Sequence, residues 1–239
     1  MKPIRALLAG LAVICSGEAS ALGGLADLTV YDRTEARRLP VYWHQGRAYV
    51  VGKPGNEYQI TVRSRFGEDV LAVVSVDGVN VITGETANPA QSGYVLGARK
   101  SLDIQGWRKS LAQTAAFYFT SLRDSYAART GRPDEVGVIG VALFRRKQEP
   151  QQISPNARAP AAGARAAEAE SRLGTGHGRQ ETSHAEYVAF ERATSAPAEV
   201  VTLYYDSHRN LVARGVIREP VAVPPRPRPF PGFVPDPRG

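Results

Sequence analysis

The sequence predicts an all-β fold, an antiparallel β-sandwich-like domain, and three observations lead to this prediction. Short apolar segments recur roughly every 8 to 15 residues, the spacing typical of a sandwich or barrel. Turns rich in Gly, Asp and Pro separate these segments. Several segments alternate apolar with polar residues, which is the period of a half-buried strand. Strands do not alternate with long helical segments, which argues against a doubly wound α/β fold.

The first 21 residues have the pattern of a secretory signal peptide. A basic start at Lys2 and Arg5 precedes an apolar run over residues 6–15, and the small residues of the "ASA" segment at 19–21 follow. This pattern predicts cleavage after Ala21. We therefore expect an exported protein, periplasmic or secreted.

Two alternatives for the same segment are a membrane anchor and a lipid attachment site at Cys15. The apolar run is shorter than the roughly 20 residues that a spanning helix needs. A lipid-modified cysteine usually follows a small residue, and here Ile14 precedes it. Cleavage removes Cys15, the only cysteine, so thiol catalysis and disulfides are not expected in the mature chain. No later segment is long enough to predict a transmembrane helix after signal removal.

The chain is basic, with 30 Lys and Arg against 23 Asp and Glu, a formal charge of +7. An exported protein of this charge is predicted to meet anionic surfaces, such as an anionic polymer of the cell envelope. The basic residues are scattered without a run of five, so specific nucleic-acid binding is not predicted.

The main domain is predicted over residues 22–147, and its early strands are the clearest. "LADLTVYD" (25–32) predicts one strand, and two short strands flank the turn at Gln45 and Gly46. In "YQITVRSR" (58–65), Tyr58, Ile60 and Val62 alternate with polar residues, which predicts one buried and one wet face.

A central hairpin is predicted in "DVLAVVSVDGVNVITGET" (69–86). Residues 70–76 are apolar on both faces apart from Ser75, and Asp77-Gly78 is a strong tight-turn dipeptide before a second strand at 79–83. Val74 and Val76 are accordingly predicted core residues of a strand that is covered on both sides.

Further strands are predicted around 94–96, 102–104, 115–122 and 136–144. Between the last two, "SYAARTGRP" (125–133) predicts one helical turn that Gly131 and Pro133 end.

Beyond the main domain the composition changes twice. Residues 148–185 are rich in Ala, Arg, Pro and Gly and predict a linker, disordered or partly helical over 161–173. Residues 186–219 predict a C-terminal β-hairpin with strands 200–205 and 211–217 around "DSHRN". Two strands alone are marginal in water, so the hairpin should pack on the main domain. Residues 220–239 form a Pro-rich tail, expected to be extended.

Several strings resemble those of a family of uncharacterised exported bacterial proteins. They are "VLAVVSVDGVNVITGETANPAQSGYVL", "GWRKSLAQTAAFYFTSL", "SYAARTGRP", "VGVIGVALF", "LGTGHG" and "NLVARGVI". The resemblance covers about half the chain, mainly 58–145. It implies an exported domain and no particular activity.

The most site-like stretch is "SRLGTGHGRQETSHAEY" (171–187). Its glycines at 174, 176 and 178 are spaced G-x-G-x-G, whereas a dinucleotide fingerprint requires G-x-G-x-x-G between a strand and a helix. A second glycine segment, "GRAYVVGKP" (46–54), lacks the spacing and the Ser or Thr of a phosphate loop. No cofactor is predicted.

A metal site would draw on the histidines. His177 and His184 lie seven residues apart, with Glu181 between them and Glu186 after. Paired zinc ligands are usually about three to five apart. His44 and His208 lie in other segments, so the stretch predicts a connector and no metal site.

No catalytic motif is present, neither G-x-S-x-G, S-x-x-K nor H-E-x-x-H. Asp69, Asp77, Glu85 and Asp103 fall at predicted strand ends or turns, where acids are common. A Ser–His–acid triad assembled from distant segments would leave no such motif, so catalytic residues are unknown, and the missing motifs favour a protein that is not an enzyme.

Five aromatic residues allow two interpretations, a carbohydrate- or peptide-binding face or the sandwich core. They are Trp43, Trp107, Phe117, Tyr118 and Phe119. The core interpretation is favoured, with Phe117 and Phe119 pointing one way and Tyr118 the other.

The sequence thus leaves the function unknown between two classes. The favoured one is a non-catalytic binding or structural module of the bacterial cell envelope, and the alternative is a periplasmic hydrolase whose active site is assembled from loops. The tail segment "PPRPRPFPGF" (224–233) fits a ligand for a partner's aromatic groove, a contact to anionic envelope polymer, or a spacer.

Overall fold

The structure is a computed structural model that describes residues 21–148 and 172–218. The predicted signal peptide up to residue 20, most of the predicted linker and the Pro-rich tail lie outside the described residues. The strands in the described ranges are Ala21–Leu22 (β1), Ala26–Asp32 (β2), Arg37–Arg38 (β3), Val41–His44 (β4), Arg47–Val51 (β5), Glu57–Ser64 (β6), Val70–Val76 (β7), Val79–Asn80 (β8), Tyr94–Leu96 (β9), Ser101–Ile104 (β10), Gly106–Arg108 (β11), Gln113–Ser121 (β12), Val138–Arg145 (β13), Leu173–Thr182 (β14) and Glu199–Asp206 (β15). The helices are a 3₁₀ turn at Leu122–Asp124, Tyr126–Arg129 (α1) and His208–Ala213 (α2).

These strands form two sheets, which confirms the predicted all-β, sandwich-like fold. The first sheet has the order β1-β2-β6-β12-β11, with β3 beside β2, β10 beside β6 and β14 beside β12. The second has the order β4-β5-β15-β13-β7-β8, with β9 beside β7. The inner faces share one apolar core, in which Ile60 and Phe117 of the first sheet join Val74, Leu143 and Leu203 of the second.

The central strand β7 is buried on both faces, as predicted. Val74 and Val76 belong to the core between the sheets. On the outer face, Leu71 and Val73 pack in a second cluster that Phe190 partly covers. The chain between β14 and β15 therefore crosses the outside of the second sheet, which explains why β7 lacks a polar face.

The predicted turn at Asp77-Gly78 is present. Asp77 has a φ of +52° and Gly78 a φ of +70°, the pair of positive values that a two-residue type I′ hairpin turn requires. The strand after it, β8, is shorter than predicted and ends at Asn80.

The prediction of a linker over 148–185 is wrong where β14 lies. β14 pairs antiparallel with β12 along its length, and its glycines face close neighbours. A Cβ on Gly176 would lie 2.1 Å from the ring of Tyr118, and one on Gly178 would lie 2.7 Å from the carbonyl oxygen of Ala116. The glycines of the G-x-G-x-G segment thus leave space for side chains and backbone of the neighbouring strand β12. The segment has few apolar side chains, so its sequence did not predict a strand.

The predicted C-terminal hairpin over 186–219 is also wrong, because only its first half is a strand. β15 lies inside the second sheet, antiparallel to β13 and parallel to β5, so the fold is not wholly antiparallel. Residues 208–213 are helical since Ser207 caps the turn, its Oγ accepting a 3.3 Å hydrogen bond from the Asn210 N–H. Leu211 is buried against Tyr49 and Val216, which anchors α2 to the outside of the sheet.

Among the described residues, no helix has the length and the hydropathy that a membrane-spanning segment needs.

Candidate functional site

The most unusual ionisable group is Asp77, a carboxylate without solvent exposure between the two sheets. Its Oδ1 accepts hydrogen bonds from the Gly137 N–H at 2.9 Å and the Tyr205 hydroxyl at 2.5 Å. Its Oδ2 accepts from the Thr175 N–H at 2.7 Å. The Thr175 hydroxyl lies 2.6 Å from the hydroxyls of both Tyr205 and Tyr58.

An ionised Asp77 can only accept hydrogen bonds, and this fixes which hydroxyl donates and which accepts along the network. The Tyr205 hydroxyl donates its single hydrogen bond to Asp77, so its oxygen must accept a hydrogen bond from the Thr175 hydroxyl. The Thr175 hydroxyl has then donated its only hydrogen, so its oxygen must accept a hydrogen bond from the Tyr58 hydroxyl. The chain Tyr58 to Thr175 to Tyr205 to Asp77 leaves each of these hydroxyls satisfied.

Two opposing effects set the proton affinity of Asp77. Burial raises the pKa of Asp77 to about 6, although the Tyr205 hydroxyl and the backbone N–H groups of Thr175 and Gly137 lower it. Burial likewise raises the pKa of Tyr58 and Tyr205 well above their ordinary value, with the Asp77 charge adding to the effect. Both tyrosines are therefore neutral donors at physiological pH.

This network stabilises the fold, and its polar side chains are buried away from solvent. Tyr58, Asp77, Thr175 and Tyr205 are each at most 2% exposed. They come from β6, the β7–β8 turn, β14 and β15, so the network joins both sheets. Perturbed ionisation often marks an active site, and buried structural networks produce the same signal.

The raised pKa of Asp77 predicts a dependence of stability on pH. Between the ordinary value of 3.8 and about 6 the native state binds more protons than the unfolded state. The free energy of unfolding should therefore fall by up to about 3 kcal/mol as pH rises through this window, and then level off. Urea unfolding of the parent and of Asp77→Asn at several pH values measures it. A difference between the two that stays constant with pH would contradict the assignment.

A cleft of about 950 Å³ opens beside α2 and is lined by three arginines, Arg123, Arg172 and Arg209. We call it the arginine cleft. Its other lining residues are neutral: Pro54, Ser121, Leu122, Ala128, Pro133, Leu173, Ser207 and Asn210. The described lining thus holds three guanidinium groups and no carboxylate, the composition of an anion site.

Separate elements bring these arginines together. Arg123 lies in the 3₁₀ turn after β12, Arg172 immediately before β14, and Arg209 in the first turn of α2. Arg172 donates a 3.0 Å hydrogen bond to the carbonyl oxygen of Asp134. The guanidinium groups of Arg123 and Arg209 form no ion pair or hydrogen bond with the described part of the chain, so both are able to receive an anion.

A second cleft, of about 610 Å³, lies on the side of α2 that carries Asn210 and Arg214. We call it the mixed cleft, because its lining carries both signs of charge. The charged lining residues are Arg47, Arg172, Arg214, Asp134, Glu135 and Asp206. It shares Arg172 and Asn210 with the arginine cleft, so the two clefts adjoin.

One wall of the mixed cleft is held by stacked rings and guanidinium groups. Arg47 lies 5.6 Å from the ring centre of Tyr204, Tyr204 lies 5.4 Å from Tyr49, and Arg214 lies 5.4 Å from Tyr49. Asp206 accepts 2.7 Å hydrogen bonds from the Ser207 N–H and the Asn210 side chain. The stacked rings and guanidinium groups fix the side chains of this wall. The carboxylate of Asp206 is already hydrogen-bonded to residues at the start of α2.

The candidate metal residues do not converge. His177 lies in β14, where its ring stacks on Tyr126 at 5.6 Å. Burial lowers the pKa of His177, and the nearby charges of Lys109 and Arg129 lower it further. In the described ranges no three His, Cys, Asp or Glu side chains are grouped so that they could hold a metal ion. No such group includes the other candidate residues from the sequence, which are His44, Glu181, His184, Glu186 and His208.

The remaining predicted carboxylates have ordinary surroundings. Asp69 pairs with Arg146 at 3.1 Å, and Asp103 accepts a 2.6 Å hydrogen bond from Thr61. Glu85 accepts from the side chain of Gln91 at 3.2 Å. Asp77 alone of the four is buried.

The core interpretation of the aromatic residues is confirmed for most of them. Trp107, Phe117 and Phe119 are buried in the core, and Tyr118 lies on the opposite face of β12, half-buried. Trp43 is the exception, since 55% of it is exposed on the edge strand β4. An edge strand has a neighbour on one side only, which leaves this ring uncovered.

The three arginines of the arginine cleft were missed by sequence reasoning. They lie about fifty and forty residues apart in turns and a helix start, and surface arginines are frequent in this basic chain. No spacing rule joins them, because they line one cleft only where the end of β12, the start of β14 and the end of β15 lie at the same edge of the sandwich.

Comparison with protein families, with curated proteins and with solved structures finds no match to this chain.

Proposed function

We propose that this protein is a non-catalytic binding module of the bacterial cell envelope that holds an anionic ligand in the arginine cleft. The observation that carries the proposal is the lining of that cleft, with three guanidinium groups and no carboxylate among the described residues. Arginine binds carboxylate, phosphate and sulfate groups through paired N–H donors. The excess of basic residues in the whole chain favours approach of the same ligands.

The cleft's hydroxyl groups support binding over catalysis. A hydrolase with a serine nucleophile needs a base within hydrogen-bond reach of that serine. The Ser121 hydroxyl donates to Asp124 at 2.7 Å, and Ser207 Oγ caps α2. Neither is hydrogen-bonded to a histidine in the described ranges. The alternative of a periplasmic hydrolase has no comparable support.

Export completes the proposal. It is supported by the basic, apolar and small-residue segments at the N-terminus. Intact-mass analysis of exported protein tests it, with a mature chain that begins at Leu22 as the expected result. A mature chain that begins at a lipid-modified Cys15 would contradict it.

Retention on immobilised heparin, a sulfated glycan of constant charge, tests the cleft. Arg123→Gln combined with Arg209→Gln should elute at clearly lower salt than the parent, because two guanidinium contacts are lost. We expect binding to free heparin to weaken about tenfold or more.

The matched control removes two arginines elsewhere. Arg38 and Arg63 are exposed on β3 and β6 of the first sheet, so Arg38→Gln with Arg63→Gln lowers the net charge equally. The control should elute close to the parent. Equal losses in the two double variants would mean that net charge, and not the cleft, determines binding.

A further inference from the structure

The two clefts beside α2 form one continuous recognition surface with two chemical characters. They share Arg172 and Asn210. The arginine cleft lacks acidic side chains in its described lining, whereas Asp134 and Glu135 line the mixed cleft together with Arg47. A ligand that occupies both clefts must complement both characters.

The carboxylates of Asp134 and Glu135 are available to a ligand. Asp134 uses its backbone oxygen, and not its side chain, for Arg172. Neither side chain takes part in an ion pair or hydrogen bond with another part of the described chain. An anionic group placed beside them would be repelled, since like charges at short distance disfavour binding.

Hydroxyl groups suit the mixed cleft better than anions do. A carboxylate accepts hydrogen bonds from hydroxyls, and a guanidinium or amide donates to their oxygens. Arg47, which lies 5.6 Å from the ring centre of Tyr204, supplies such donors in the same cleft as Asp134 and Glu135. A polar cleft lined by both acceptors and donors fits a chain of neutral sugar hydroxyls.

We infer that the ligand is an acidic glycan whose anionic groups occupy the arginine cleft and whose sugar hydroxyls occupy the mixed cleft. This inference rests on the proposed function and specifies its ligand. A polyanion without hydroxyl groups, such as polyphosphate, can bind the guanidinium groups of the arginine cleft, but Asp134 and Glu135 repel its negative charges in the mixed cleft. The protein therefore prefers a carboxylated or sulfated saccharide to a polyanion of equal charge without hydroxyls.

Titration calorimetry with two probes of matched charge number, oligogalacturonate and linear polyphosphate, tests the inference on the full chain. The parent should bind oligogalacturonate about tenfold more tightly than polyphosphate. Asp134→Asn with Glu135→Gln should remove most of this preference, by weakening the glycan and strengthening polyphosphate. Arg47→Gln, which leaves the carboxylates of the mixed cleft in place, should weaken binding of the glycan. A thermal melt of each variant checks that it is folded.

The outcomes separate the inference from the proposed function. Equal or tighter binding of polyphosphate by the parent, or a gain for both probes in the Asp134 and Glu135 variant, overturns the acidic glycan and leaves the arginine cleft intact. Unchanged binding of both probes by the Arg123→Gln, Arg209→Gln variant overturns the proposed function itself. Loss of both probes in that variant, with the glycan preference of the parent, supports both.

Discussion

Val74→Asp is expected to prevent stable folding. Val74 is 1% exposed in the middle of β7, where it pairs with Val141 of β13. An aspartate there would place a carboxylate in the core without a partner, which costs several kcal/mol. That is comparable with the whole stability of a typical domain, about 5 to 15 kcal/mol. Soluble expression and a thermal melt by circular dichroism measure the effect.

Val200→Asp is the matched control, because it makes the same change in the same sheet. Val200 lies on β15 and is 58% exposed, so the new carboxylate stays in water. We expect its melting temperature to lie close to that of the parent. A Val74→Asp protein that melts like Val200→Asp would show that β7 is not a central strand.

Asp77→Ala should produce the second largest loss, about 3 to 5 kcal/mol of the free energy of unfolding. The N–H groups of Gly137 and Thr175 lose their buried acceptor, and the hydroxyl of Tyr205 loses its own. Alanine is also disfavoured at the φ of +52° that this turn requires. Denaturant unfolding near neutral pH measures the loss.

Two variants separate these causes. Asp77→Asn tolerates the positive φ and keeps one oxygen, but turns an amide N–H toward the Thr175 N–H, so its loss should be intermediate. Asp103→Ala removes an exposed aspartate with one hydrogen bond to Thr61 and should cost less than about 1 kcal/mol. A loss at Asp77 no larger than that at Asp103 would contradict the network.

The parts of the fold that follow from local pattern could be predicted from the sequence. In β6, Tyr58, Ile60 and Val62 alternate with polar residues and are buried as predicted. The Asp77-Gly78 dipeptide specifies its own turn, since few other residue pairs adopt two positive φ values easily. These features depend on neighbours in sequence.

The parts that failed depend on tertiary context. β14 has Leu173 and little else to signal burial, and its hydrogen bonds to β12 make it a strand. Residues 211–217 contain enough β-branched and apolar residues to predict a strand, yet the Ser207 cap and the burial of Leu211 favour a helix. Tertiary packing alone decided the first case, and a local cap together with the burial of Leu211 decided the second.

The candidate site could not be predicted for the same reason. Asp77 was identified as a turn residue, but its acceptor role depends on Gly137, Thr175 and Tyr205, which the fold brings from three other segments. The arginine cleft likewise joins residues from the 3₁₀ turn, the start of β14 and α2. Neither arrangement leaves a spacing in the sequence.

The central claim, that the arginine cleft receives the ligand, is tested most directly by following arginine side chains during a titration. In a ¹⁵N-labelled protein, the Nε–Hε signals of Arg123 and Arg209 should shift or broaden as oligogalacturonate is added, assigned through the Arg→Gln variants. The signals of Arg38 and Arg63 should stay in place. Shifts at Arg38 and Arg63 with none at Arg123 and Arg209 would contradict the claim.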